Sequence, residues 1–142
     1  MASILLEIIT PQRKAFAEMI TAVSVPTSNG IIGILPKHIG LFTALTEGEV
    51  KITVSGKEWY LAIGGGFMEV TKEKISILVS RAVHADEINE AEIRNAEKEA
   101  KEIISQKRKT EERTVALEAL RRSYLDLKVL RHHKHRQFPS VS

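Results

Sequence analysis

Hydrophobic residues change their rhythm once along this chain. In "SILLEIIT" (3–10), "EMITAVSV" (18–25), "EVKITV" (49–54), "EWYLAI" (58–63), "GFMEV" (66–70) and "KISILVS" (74–80) they come as short runs rich in β-branched residues. Turn formers separate the runs: Pro11, Pro26, Gly48, Ser55-Gly56, Gly64 to Gly66 and Thr71 to Lys74. Intervals of roughly 8 to 12 residues between such runs are those of short strands. The clearest hairpin is "VKITVSGKEWYLA", two strands about a Ser-Gly turn. Six or more strands in residues 1–84 cannot form a parallel sheet, because each parallel pair needs a crossover of about a dozen residues or more. An antiparallel β-sandwich or flattened barrel remains.

Beyond residue 84 the period becomes helical. Ile93, Ala96, Ala100 and Ile103 recur at three and four, and so do Leu117, Leu120, Tyr124, Leu127 and Leu130. Asn89 followed by Glu92 resembles a capping box, and Thr110 followed by Glu111 and Glu112 is a second start signal with acid in the first turn. The "SQKRKT" between them puts basic residues where the first helix is expected to end, as its dipole favours. These signals predict an antiparallel αα-hairpin in which Ala96 and Ala100 let the backbones approach. The fold class is thus α+β, with a sandwich domain over 1–84 and a helical hairpin with a basic tail over 85–142.

The distribution of breakers agrees with that division. All eight glycines and three of four prolines precede Phe67, and neither type occurs from Phe67 to Phe138. Residues 1–84 hold 8 Lys/Arg and 7 Asp/Glu, whereas 85–142 hold 13 and 11. Each predicted helix has a narrow apolar stripe, and short helices draw most of their stability from tertiary packing, so the hairpin should be the weaker unit. Opened into one rod from Ile88 to Gln137, its ~50 residues would reach about 75 Å.

Composition removes several function classes. Seven aromatics are too few for a base-stacking platform, and a net charge of +3 permits an anionic partner without demanding one. The absence of cysteine excludes disulfides and thiolate metal sites. "MASILLEIITPQRK" has no basic residue ahead of Ile4, Leu5 and Leu6 and does not read as a signal peptide. No apolar run approaches the ~18 residues of a membrane helix, so membrane attachment is expected through partners.

Candidate chemistry is sparse. Gly64 to Gly66 has no following helix start and no Lys-Ser/Thr, so it reads as a tight bend rather than a phosphate cradle. The carboxylates Glu7, Glu18, Glu47, Glu49, Glu58, Glu69 and Glu73 are scattered singly, and no acid/base dyad stands out. His132, His133 and His135 sit among Lys and Arg without a nearby carboxylate and read as a solvated cationic tail rather than a metal site. "NGIIGILPKHIGLF", residues 29–42, is different: a sandwich core could absorb Ile32 and Ile34 by alternation, but around Pro36 and Gly40 loop geometry brings a strongly apolar segment to the surface. Exposed apolar loops mark protein partners, and the stretch reads as a docking surface.

That stretch, with "LAIGGGFMEV", "KISILVSRA" and the charged hairpin, resembles the epsilon subunit of the F-type ATP synthase from about Leu5 to about Arg131. The most specific part is G-x-x-G-[IL]-L-P-x-H, met by Gly30, Gly33, Ile34, Leu35, Pro36 and His38. The resemblance implies a non-catalytic rotor subunit without a cofactor, on the cytoplasmic face of a bacterial inner membrane. It also implies that the sandwich packs on the gamma subunit and on the membrane c-ring, with ring contacts at 28–32 and 38–42. Asn29, Gly30, Ile31, His38, Leu41 and Phe42 are then the rotor-contact candidates. Many such subunits carry acid in the first loop, whereas this chain has Asn29 and Ile31, so apolar packing should carry more of the interface.

In that family the hairpin brakes ATP hydrolysis when extended along gamma toward the beta subunits. Arg113, Arg121, Arg122 and Lys128 are the matching basic candidates, set against ordinary surface pairing such as Glu118 with Arg122. Some bacterial members bind ATP through Ile/Leu-Asp-x-x-Arg-Ala at the start of the first helix. Here those positions begin at Ile88, with Asn89 for the acid and Glu92 for the arginine. The lost cation and gained carboxylate predict poor ATP binding. The alternative from a different class is a stand-alone scaffold or nucleic-acid-binding module using the basic tail, although the adjoining helices are as acidic as they are basic.

Overall fold

The structure, a computed structural model, describes residues 2–37, 40–106 and 110–137, the last three of these by backbone alone. It divides into two compact units, Met1–Ala85 and Asp86–Ser142.

Among the described residues the first unit forms ten strands: β1 (Ile4–Ile9), β2 (Lys14–Ile20), β3 (Ala22–Thr27), β4 (Gly30–Ile34), β5 (Leu41–Leu45), β6 (Gly48–Val54), β7 (Lys57–Ile63), β8 (Gly66–Val70), β9 (Lys74–Val79) and β10 (Ala82–His84). One sheet runs β2-β1-β9-β8-β5 and the other β10-β7-β6-β3-β4. Pairing is antiparallel except between β1 and β9, which are parallel from Leu5↔Lys74 to Ile9↔Leu78. The expected antiparallel sandwich is present, and this pair is its one parallel contact among the described residues. No short crossover is needed there, because the rest of the domain itself connects the two strands.

Two expected elements also differ. "EMITAVSV" is not one strand: the chain bends at Thr21 and passes from the first sheet to the second, with the Thr21 N–H and hydroxyl both donating to the Thr53 carbonyl at 2.8 Å. The stretch 29–42 contains β4 and the start of β5, joined by residues 35–40. Lys37 there has φ of 68°, in the left-handed region. The predicted Ser-Gly turn is present, with Val54 facing Lys57 and φ values of 49° at Ser55 and 85° at Gly56. Positive φ at both central residues matches the right-handed twist of the flanking strands.

Gly64 to Gly66 is the corner at which the chain returns from the second sheet to the first. The Gly64 N–H donates to the Arg81 carbonyl at 2.9 Å and the Ser80 N–H to the Gly65 carbonyl at 3.1 Å, so the segment from β9 to β10 crosses alongside. A Cβ at Gly66 would lie 2.0 Å from the Leu78 carbonyl oxygen, and one at Gly64 would lie 2.2 Å from the Ser80 hydroxyl. The glycines serve this close backbone approach.

The core lies between the sheets and takes alternate residues of each strand. Leu6, Ile8, Ile20, Ile52, Leu61, Ile63, Ile75 and Ile77 are fully buried there. Burial of each such side chain contributes about 1.5–3 kcal/mol against its exposed state. At the edge shared by β2 and β10, the Arg13 guanidinium donates to the Ala82 carbonyl at 2.9 Å and His84 Nε2 meets the Ala15 carbonyl at 2.6 Å. These two contacts tie one sheet to the other.

The second unit holds α1 (Glu90–Ser105) and α2 (Thr110–Gln137) after a 3₁₀ turn at Ala85–Glu87. Asn89 is the N-cap of α1, its side-chain oxygen accepting the Glu92 N–H at 3.2 Å. The last turn of α1 carries no basic residue, and the Lys107, Arg108 and Lys109 expected to serve its dipole lie outside the described residues. The expected helical stripes are present in part, with Ala100 and Leu130 buried and Ile93, Ile103, Leu120 and Leu127 half-buried. Ala96, Leu117 and Tyr124 are exposed, whereas Ala100, Ala116, Ser123, Asp126, Val129 and Leu130 are buried. Small and polar residues thus occupy positions that a search for large apolar residues passes over.

Candidate functional site

Two features of the sandwich stand out once its core is accounted for. The first is the turn joining β3 to β4. Thr27 pairs with Gly30 across Ser28-Asn29, the Thr27 hydroxyl donates to the Gly30 carbonyl at 2.6 Å, and the Asn29 N–H donates to the Thr27 hydroxyl at 3.2 Å. Gly30 sits at φ of 109°, where a side chain would be strained. Strand alternation then turns Ile32 and Ile34 toward the core and leaves Ile31 72% and Leu35 62% exposed.

The second feature begins on β5, the edge strand of the other sheet. Leu41 is half-buried and packs against the core, whereas Phe42 points outward, 67% exposed. Its ring stacks on Phe67 of β8 at a centroid distance of 5.6 Å. Ala44, Phe67, Leu78 and Ile9 are successive partners across β5, β8, β9 and β1. They form an apolar row over four strands on the outer face of this sheet. Met19, 52% exposed, adds a further apolar group on edge strand β2. Single exposed apolar residues need no explanation, but a stacked aromatic pair continued by Leu78 is a patch.

Sequence reasoning named Asn29, Gly30, Ile31, Leu41 and Phe42, and the structure sets them on β4 and β5, the edge strands of the two sheets, and on the turn before β4. His38 lies outside the described residues. Phe67 and Leu78 were missed. Their signal was an apolar residue at the outward position of "GFMEV" and "KISILV", where alternation calls for a polar one.

The same outer face carries one built charge cluster. Glu7, its side chain 13% exposed, pairs with Lys14 at 2.9 Å and Lys74 at 3.1 Å. The hydrogen bonds from Lys14, and then from Lys74, hold its carboxyl below the usual carboxylate range. No second carboxylate accompanies it in this cluster, so it has the form of a surface ion pair rather than an acid/base dyad.

On the hairpin, Arg113, Arg121, Arg122 and Lys128 are all exposed. At 3.6 residues per turn Arg113, Arg121 and Lys128 fall within about 80° of one another, and Arg122 lies about 100° beyond. Between the helices runs a groove of about 710 Å³ bounded by Glu90, Arg94, Glu97, Tyr124, Lys128 and Arg131 among others. At the degenerate nucleotide positions Asn89 is committed to capping α1, and Glu92 stands exposed in the first turn; Ile88 precedes the cap. Among the described residues no group of three or more His, Asp or Glu converges on a possible metal site, and no helix is long and apolar enough to cross a membrane.

Comparison with known proteins accounts for this combination. Residues 3–85 match the family of the ATP synthase delta/epsilon chain β-sandwich domain. The ATP synthase epsilon chain of Herpetosiphon aurantiacus is 38% identical over 132 residues, covering 93% of this chain and 97% of that one. That of Dehalococcoides mccartyi is 36% identical over 142 residues, covering 99% and 100%. In fold the chain is similar to one in the Euglena gracilis mitochondrial ATP synthase OSCP/F1/c-ring assembly, with a TM-score of 0.65, 21% identity, and coverage of 92% and 79%. It is also similar to one in the Tetrahymena thermophila central stalk and c-ring, with a TM-score of 0.58, 17% identity, and coverage of 91% and 97%. By sequence over nearly its whole length, then, this chain belongs to the ATP synthase epsilon-chain family.

Proposed function

We propose that the protein is a non-catalytic central-stalk subunit of an F-type ATP synthase that joins the gamma subunit to the membrane c-ring. The observation that carries this reading is the exposed apolar surface, Ile31 on one edge strand with Leu35 just past its end and Phe42 stacked on Phe67 beside Leu78, on a sandwich whose core is already filled. A platform with nothing left to bury internally has apolar surface available for partners. The turn around Asn29 and Gly30, with Ile31, His38, Leu41 and Phe42, serves the ring contact, and the sandwich also packs on gamma. The hairpin restrains ATP hydrolysis by opening along gamma and presenting Arg113, Arg121, Arg122 and Lys128 to acidic segments of the beta subunits. The subunit works at the cytoplasmic face of a bacterial inner membrane, held there through its partners, and binds ATP poorly.

The test is assembly. Replacing Ile31 and Phe42 together with Asp should cost recovery of the subunit with the rotor, while the free chain keeps its thermal transition; undiminished assembly of that variant would remove the docking role. Deleting residues 105–142 should leave assembly intact and raise ATP hydrolysis. An unchanged hydrolysis rate would remove the brake and leave the platform standing.

A further inference from the structure

The two helices are joined by a contact that exists in one arrangement of the hairpin alone. Glu90, the first residue of α1, meets Lys134, near the end of α2, at 2.7 Å, and its other oxygen accepts from Arg94 at 3.1 Å. Residues 90 and 134 are 44 positions apart, so in a continuous rod they would be separated by about 66 Å. The Arg94 contact is one helical turn away and survives any opening. The Lys134 contact does not. A second tie of the same kind lies further along, where Lys101, paired with Glu97 at 2.9 Å, sits over the Tyr124 ring at 5.9 Å from its centroid.

We infer that Glu90 and Lys134 form an electrostatic latch that holds the hairpin closed and sets how often it opens. The inference rests on the proposed opening of the hairpin. Three observations converge on it. The buried residues of the unit include few large side chains, so polar ties are a larger share of what distinguishes closed from open than they would be in a thick core. Glu90 stands at the N-terminus of α1, where the helix dipole favours a carboxylate and keeps it charged. Its surroundings across the groove are mostly cationic: Lys134, Lys128 and Arg131 from α2 and Arg94 from its own helix, with the His132 imidazole beside them and Glu97 the acid among them. Hydrogen bonds from Lys134, and then from Arg94, hold the Glu90 carboxyl below the usual carboxylate range, in agreement with that setting.

A latch made of exposed charges is weak, tunable by salt, and specific to one state. A ligand or contact shifts a two-state equilibrium by its differential energy between the states, and this contact is wholly differential. Ionic strength, or any anionic surface that captures Lys134, would then move the hairpin toward the open rod.

The experiment uses the full chain assembled in its ATP synthase, with spin labels on cysteines introduced at the exposed positions Glu92 and Glu118; the chain has no cysteine of its own. In a rod these sites are about 40 Å apart. At low salt Glu90→Lys should raise the long-distance population by about 2- to 5-fold, the range an exposed ion pair supplies. Combining Glu90→Lys with Lys134→Glu should restore the parent distribution. In 1 M salt, where the Debye length is about 3 Å, the variants should converge. A long-distance population that is present but indifferent to Glu90→Lys would overturn the latch alone. A population that the single and double variants raise equally would overturn it too, since the charge pairing would then be irrelevant. Complete absence of the long distance in every variant would overturn the opening hairpin itself, and the latch with it.

Discussion

The sandwich and the hairpin spend their hydrophobic residues differently. In the sandwich, leucines, isoleucines and valines from both sheets are fully removed from water, and the sheet edges are tied by Arg13 and His84. In the hairpin the buried positions include Ala100 and Ala116 and the polar Ser123 and Asp126 beside Val129 and Leu130, while Val115 and Leu117 are 66% and 51% exposed. Alanine buries little area, and a helix pair that rests on a thin seam and exposed ion pairs sits near the low end of local stability. The difference teaches what each part is suited to. A filled sandwich can hold an exposed apolar face in fixed geometry, and a helix pair with few fully buried large side chains has less to lose on separating.

Four substitutions would break or sharpen that contrast, and they differ widely in size. Gly66→Val should abolish the folded sandwich, because even a Cβ there lies 2.0 Å from the Leu78 carbonyl oxygen and 2.7 Å from the Val79 Cα; loss of the cooperative thermal transition is the readout. Leu6→Ala, in the filled core, should lower the stability of the sandwich by about 2–5 kcal/mol in denaturant unfolding. Asn89→Ala should weaken α1 by about 1 kcal/mol, seen as lost helical signal with the strand transition unmoved. A strand transition that moved with it would mean that the two parts melt as one.

Glu7→Gln should have the smallest effect, and its sign with pH is fixed. The folded carboxyl titrates below its ordinary value, so its pairing with Lys14 and Lys74 stabilises the fold above the ordinary carboxylate range. That contribution disappears as pH falls through the lowered value. The variant should therefore be slightly less stable than the parent at neutral pH and equal to it in acid, with the gap narrowing in salt.

Much of this was legible in the sequence wherever one residue type has one local use. The Ser55-Gly56 turn, the bend at Gly64 to Gly66 and the Asn89 cap followed from backbone geometry and capping chemistry, which depend on near neighbours. The bend at Thr21 was not legible, since apolar alternation runs through it without glycine or proline and the Thr53 carbonyl that fixes it is 32 residues away. Around Pro36 and Gly40 the turn signal is all that the local sequence offers, whereas the alternation of Ile32 and Ile34 gains its meaning from Val23 to Thr27, which supply β4 with a partner. On α2, Leu117 and Tyr124 of the expected stripe are exposed, and the buried Ala116 and Ser123 have no apolar bulk to mark them in the sequence. At the candidate site, Ile31 and Phe42 announced themselves as apolar residues in turn-rich sequence. Phe67 and Leu78 became visible only when register set them side by side.

The unequal hold on the two parts is tested most directly by amide hydrogen exchange of the full-length chain, free of partners and read residue by residue. Amides of α1 and α2 should exchange faster than those of β1, β6, β7 and β9 by a factor of about 10 or more, through local opening that leaves the strands protected. Equal protection of helices and strands across salt and temperature would contradict the account, because a hairpin that opens only when the sandwich does cannot move on its own.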